Sequence, residues 1–402
     1  MRGGGWHGGD EIPGKVQVRL SDEFELVAAC CRRPADAAAD ARIRRLAGAV
    51  DWPHVLRIAC RHRVEGLAWD GLRRAGVDIP AAEAAGLRAA AERIARQNLR
   101  LTAEALRLKR LFEAAGIDLL FVKGVSLAQL AWGTIGLKMG WDVDLLVAPD
   151  AAEPAAIVLE RAGYALLVPE GRQARERLGV WHAHWKESVW SAQAGDIAVE
   201  LHTALADNPA LLSGVGLASP RQEVAIAGAG TLPTLALEPL FAYLAVHGAS
   251  SAWFRLKWIA DVGALLAPLP GAEIERLYRS ATRRGAGRAA ALALLLCRRL
   301  LEADLPAPLV AELRRDRIVR LLLRLSLRKL AGRAEAVELD ATRLGTLTIH
   351  LLQLGLKKGM GYKLGELRRQ LVSPYDRLAV PLPRTLSFLY PAVFLLRRLR
   401  RR

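Results

Sequence analysis

Cysteine is scarce: Cys30, Cys31, Cys60 and Cys297 are the four in 402 residues, with no CxxC pair and no metal-ligand spacing. A cysteine-built metal site is therefore excluded, and with no leader peptide opening the chain, a reducing cytosol is the expected compartment. Long apolar runs are also lacking. The longest near a terminus, residues 386–396, falls well short of the roughly 20 residues that span a bilayer, so no membrane-crossing helix is expected, while binding at a membrane surface stays open. Aromatic residues are 6% of the chain, and its basic stretches lack the aromatic interleaving of a nucleic-acid module. No internal repeat is found.

What is present is the composition of a globular protein, 52% hydrophobic and 25% charged, long enough for two or three domains. The net charge of +17 attracts phosphate-bearing partners: nucleotide, nucleic acid or anionic lipid. Residues 1–20 read as a glycine-rich flexible tail and 21–115 as a helical region. In the latter, Asp22 suits an N-cap with Glu25 completing a capping box, Asp51 and Pro53 suit a helix start, and residues 81–115 carry Leu87, Ile94, Leu101 and Leu108 along one side. His54 and His62 read as ordinary packing or surface histidines. Residues 236–380 form a second helical region, and 381–402 a basic amphipathic tail.

Between the helical regions, residues 116–235 change to short apolar runs separated by turns, the pattern of a small mixed sheet. Residues 119–122 predict a strand ended by Gly124, 125–132 a helix, and 141–147 a second strand. Alternation along that second strand puts Asp142 and Asp144 on one face and Val143, Leu145 and Val147 on the other. A helix from Pro149 to Gly163 and a strand over 164–168 follow. Residues 185–190 and 197–202 predict a hairpin whose second arm sets Glu200 and His202 together. The fold class is α+β, a small mixed sheet flanked by helical regions.

An Asp-x-Asp pair alone usually marks a turn or a solvated edge. Here it is embedded in WDVDLLV, which favours burial, and a buried carboxylate requires a cationic partner. Asp142, Asp144 and Glu200 together make an oxygen-rich site suited to Mg²⁺, with Mn²⁺ as the alternative. Lys123, Gly124, Ser126 and Lys138 supply phosphate-binding chemistry: close backbone approach, a hydroxyl at a helix start, and two ammonium groups. His202 suits phosphate binding, orientation of Glu200, general-base work or a supporting hydrogen bond. His182 and His184 alternate as in a strand and would face the same cleft, although a zinc site would need further ligands. Over residues 253–261 a helix would pair Lys257 with Asp261; in the competing reading Arg255 or Lys257 reaches a triphosphate.

The order of apolar strand, Lys123-Gly124-Val125-Ser126, helix and Asp142-Val143-Asp144 resembles the nucleotidyltransferase fold of the DNA polymerase β superfamily. More closely, it resembles the family of uncharacterised nucleotidyltransferases of bacteria. Asp51-Trp52, His62-Arg63-Val64, Val199-Glu200-Leu201-His202, His247-Gly248-Ala249 and the segment from Trp253 to Asp261 extend the likeness over most of the chain. The resemblance implies a metal pair at Asp142 and Asp144, a third carboxylate at Glu200, and a nucleotide-phosphate turn at Gly124 and Ser126. Lys138 stands where the family commonly has arginine, and Trp141 where a small residue is expected. The implied activity is transfer of a nucleoside monophosphate from an NTP to a hydroxyl of a protein, RNA, sugar or small molecule. Two rivals remain: a catalytically inactive accessory protein of the same fold, and an adaptor whose basic C-terminal helices bind nucleic acid or the inner face of the membrane.

Overall fold

A computed structural model describes residues 18–171, 173–192, 197–226, 228–332, 345–393 and 396. The glycine-rich tail up to residue 17, the hairpin turn at 193–196 and the arginine run at 397–402 lie outside the described residues.

The chain begins with helices α1 (Asp22–Cys30), α2 (Ala37–Ala47), α3 (Trp52–His62), α4 (Glu65–Arg74) and the long α5 (Ala81–Ala114). Ser21, one residue before the expected Asp22, caps α1 by accepting the Phe24 amide. Asp51 does precede α3, but its side chain makes no cap bond, and Pro53 sits in the first turn. Along α5, Leu87, Ile94, Leu101 and Leu108 are all buried, as their spacing predicts.

Strand β1 (Leu120–Phe121), helix α6 (Val125–Trp132), β2 (Asp142–Leu146), α7 (Ala152–Arg161), β3 (Tyr164–Val168), α8 (Leu178–His182), β4 (Glu187–Ala192) and β5 (Ala198–His202) build the α/β unit. The sheet order is β1-β2-β5-β4-β3, mixed as expected, with β2 and β5 as the parallel pair. Its register sets Asp144 beside Glu200 and Leu146 beside His202. Val143, Leu145, Val199 and Leu201 enter a core shared with α5 and α7, so the acidic side chains project from the opposite face. A separate hairpin, β6 (Arg221–Ile226) and β7 (Gly230–Leu235), packs beside β1 and α5.

The remaining helices are α9 (Leu237–Ser250), α10 (Leu256–Leu266), α11 (Gly271–Arg283), α12 (Gly287–Leu301), α13 (Ala307–Leu313), α14 (Arg317–Ala331), α15 (Gly345–Gly355), α16 (Met360–Leu371) and α17 (Pro374–Ala379), followed by a 3-10 turn at Arg384–Leu389. One apolar core joins α1, α3 and α4 to α9, α10 and α12, and takes in Val122 and Leu146 from the sheet region. The acidic face of the sheet thus looks toward the C-terminal helices, and α10 packs directly on α6.

Candidate active site

The turn between β1 and α6 is built to bring backbone close to the carboxylates. Gly124 adopts φ +67°, and a Cβ placed there would lie 3.5 Å from the Asp142 carbonyl oxygen and 4.0 Å from Asp144 Oδ2. The buried Ser126 hydroxyl bonds to the carbonyls of Phe121 at 2.9 Å and Lys123 at 3.1 Å, locking the turn. That fixes the Lys123 side chain over the sheet.

Lys123 Nζ lies 2.7 Å from Asp144 Oδ1 and 3.2 Å from Glu200 Oε2. His202 Nε2 reaches the same two carboxylates at 3.2 and 3.4 Å, while its Nδ1 is 3.3 Å from Glu187, which is itself paired with Lys186. Burial opposes charge on both His202 and Lys123, but the carboxylates win. His202 is held up at about 9, and Lys123 well above its ordinary value. Glu200 is likewise pulled well below the carboxylate range against its own burial, by Lys123 and then His202. Asp142 differs: burial, and then the neighbouring Asp144 charge, raise it to about 7.

The opposite wall comes from the loop after α6 and from α10. Asn98 of α5 donates to the carbonyls of Ile135 and Lys138 and accepts the Gly140 amide at 3.1 Å, clamping that loop. Gly140 is required here, because a Cβ would meet Asn98 Oδ1 at 2.7 Å. Lys138 pairs with Asp261 at 3.0 Å, and Trp132 Nε1 donates to the other Asp261 oxygen at 3.1 Å. Asp261 is thus taken by Lys138 rather than by Lys257, the partner expected from helical spacing. Lys257 has no ion-pair partner among the described residues, and burial followed by the charges of Lys138 and Arg63 draws it down to about 7. Between floor and wall lies a cleft of about 200 Å³. At its rim Trp141 is 51% exposed, with the Arg63 guanidinium 5.2 Å from its ring centroid.

Lys123, Gly124, Lys138, Asp142, Asp144, Glu200 and Lys257 therefore line one cleft, with Ser126 and His202 buried beside it. Arg255 is turned away: it is buried and donates to the Arg61 carbonyl. His182 closes the short helix α8 rather than lying in a strand, and its two ring nitrogens meet Thr203 and Ser188 at 3.1 Å, which leaves it a structural residue. His184 follows in the turn after that helix. His62 packs edge-on to Phe24 and accepts the Leu256 amide, and burial takes it to about 3, so it is a neutral packing residue as expected. Glu187, Arg63 and His247 were not expected at the site. Glu187 faces His202 across the β4–β5 ladder, a pairing that follows once the hairpin register is known. Arg63 points to the cleft because α3 ends on it in the left-handed conformation, which its sequence does not announce. His247 lines the wall from the last turn of α9.

Asp144, Glu200 and His202 offer three ligand atoms within 4.8 Å of one another, a group that fits a divalent metal. The buried Asp144 Oδ2 supports the fit, since it has no hydrogen-bond partner among the described residues although it sits beneath the Gly124 turn. Carboxylates on neighbouring parallel strands, a glycine turn opening a helix and lysines on the facing wall make a class of site suited to phosphate groups and a divalent cation. Residues 48–302 match the family described as uncharacterised nucleotidyltransferase, and the chain belongs to it. No curated protein and no solved structure matches the chain. The matched span contains every cleft residue and ends before α13.

Proposed function

We propose that this protein transfers a nucleoside monophosphate from an NTP to an acceptor hydroxyl, releasing pyrophosphate, with Mg²⁺, or Mn²⁺ in its place, held by Asp142, Asp144 and Glu200. The observation that carries the reading is the pairing of Asp144 with Glu200 across parallel strands, under a glycine turn and opposite Lys257, which has no ion pair among the described residues. When bound, such an ion would polarise the α-phosphate and offset the charge developing on pyrophosphate. With no cation bound, His202 is held protonated and hydrogen-bonds both Asp144 and Glu200; to join them as the third ligand it would give up that proton. Lys257 and Lys138 supply positive charge to the triphosphate, and the Gly124 backbone admits it close to the start of α6. Trp141 and Arg63 at the rim offer a flat, cationic surface for a base. The test is incubation with α-labelled NTPs, Mg²⁺ and native lysate. Labelled acceptor should form with the wild type and not with Asp144→Asn; full labelling by the variant would overturn the mechanism.

One contact favours a second reading. Lys123 already neutralises Asp144 and Glu200, as it would in a catalytically inactive member that binds nucleotide or a partner. Calorimetric titration with Mg²⁺ and each NTP separates the two: binding without turnover on any acceptor supports the accessory role, and no binding removes both.

A further inference from the structure

Helix α16 is oriented against the usual rule for a helix on a globular protein. Met360, Leu364, Leu367 and Leu371 fall within an arc of about 60° at helical spacing, and all four face outward, Met360 at 66% and Leu364 at 60% exposure. The inward face is the polar one. Buried Glu366 accepts from Asn208 at 2.9 Å and pairs with Arg369, whose guanidinium also reaches Gln353 at 2.8 Å. Tyr362 donates to the Gln353 carbonyl at 2.6 Å, and Gln370 to that of His350 at 3.1 Å. These bonds fix the rotation of the helix, so the leucine stripe is held in solvent by structure. Leu347 and Leu351 of α15 are exposed as well, and Phe388 beyond α17 is 71% exposed.

The charges that flank the stripe on α16 itself are positive. Lys363 and Arg368 flank the stripe on α16, and Lys358, 3.9 Å from Asp316, lines with Lys363 a cavity bordered by Met360, Leu364 and Leu367. Residues 345–393 carry seven lysines and arginines against two acids, Glu366 and Asp376, both buried. No helix of the described residues is long and apolar enough to cross a membrane.

We propose that the outward face of α16 is a docking surface for an anionic lipid bilayer, lying in the plane of the headgroups with its leucines among the acyl chains. An apolar stripe bordered by cations is the pattern that such an interface rewards. Two copies meeting through this face would bring like charges together, and a nucleic acid would neutralise the cations while leaving the leucines in water. The surface lies outside the residues that match the nucleotidyltransferase family and does not depend on the reaction at the cleft.

The test is co-sedimentation of the full chain with phosphatidylcholine vesicles containing, or lacking, about a third phosphatidylglycerol. Binding should need the anionic lipid and weaken with salt. It should fall at least ~10-fold in Leu364→Glu/Leu367→Glu and by a smaller factor in Lys363→Glu/Arg368→Glu, all with unchanged circular dichroism. Four results would each overturn the proposal: binding unaffected by the leucine changes, which would leave only the charge of the arginine tail; equal binding to neutral vesicles; no vesicle binding but a concentration-dependent dimer that Leu364→Glu abolishes; and no vesicle binding but retention of an oligonucleotide.

Discussion

Lys123 on the floor of the cleft and Lys257 on its far wall are both enclosed by protein, yet their neighbours drive them in opposite directions. Lys123 touches two carboxylates and is held charged well above its ordinary value. Lys257 has no ion pair among the described residues, and burial with the charges of Lys138 and Arg63 outweighs Asp142 and Asp261, so it falls to about 7. Burial weakens a lone charge and strengthens a paired one, so the same residue type becomes a fixed counter-ion in one place and a group awaiting an anion in the other. The floor is self-neutralised without ligand, whereas the wall is not. A triphosphate would complete the wall, and a divalent cation would replace Lys123 at the floor.

The largest effect should follow from breaking the floor. Asp144→Asn removes the carboxylate that touches both Lys123 and His202, and should lower nucleotidyl transfer by ~10³-fold, read as initial rates with labelled NTP. Lys123→Met separates the lysine's two roles. Without its ammonium, Asp144 and Glu200 face each other with only His202 between them, so the variant in EDTA should lose about 3 kcal/mol in denaturant titration. Mg²⁺ should restore more stability to this variant than to the wild type. Equal Mg²⁺ effects on both proteins would show that the cation does not bind where Lys123 stands.

Changing the wall should produce the reverse pattern. The unfolded chain keeps a lysine protonated to about pH 10.4, whereas folded Lys257 releases its proton near 7. Between these values the unfolded state binds more protons, so stability attributable to this residue rises with pH, and its penalty is complete below about pH 7. Lys257→Met should therefore raise Tm most near about pH 6 and little near about pH 10, while raising the KM for NTP by ~10-fold. In the wild type, NTP affinity should fall as pH rises through about 7. A variant that is less stable at low pH would show that Lys257 has a counter-ion in the folded protein.

How much of this was readable beforehand depends on whether a feature is local. The alternation in WDVDLLV and VELH placed Asp142, Asp144, Glu200 and His202 on the correct face, because period two is a property of a single strand. Helix α6 followed from Gly124 and the apolar run after it. WHAHW alternates equally well but closes a helix, since Trp181 and Trp185 pack against each other across a turn and the Trp181 indole donates to the Glu187 carbonyl. Helix α2 leaves little trace in the sequence, because it buries only Ala39 and Ile43, too little for an apolar stripe to stand out. The hairpin of β6 and β7 was hidden because Pro233 sits inside a strand. The partner of Asp261 is set by a contact distant in sequence. Spacing along α10 favours Lys257, but Asn98 carries the loop before β2 to the same place and delivers Lys138.

The smallest expected effect sharpens the comparison at the rim, where floor and wall meet solvent. Trp141 directly precedes Asp142 and remains half exposed, with the Arg63 guanidinium facing its ring. A residue that only closed the end of β2 would be replaceable by alanine without consequence for nucleotide. A platform for a base would not, since loss of one stacked aromatic costs about 1 kcal/mol or more. Trp141→Ala should raise the KM for NTP by ~5- to 10-fold with kcat nearly unchanged, and Trp141→Phe should recover most of the loss. The same ratio should appear when triphosphate alone competes less well with NTP against the wild type than against Trp141→Ala, because the variant no longer distinguishes the two by their base. A fall in kcat at constant KM would instead place Trp141 in the support of Asp142, and would move the base to another wall of the cleft.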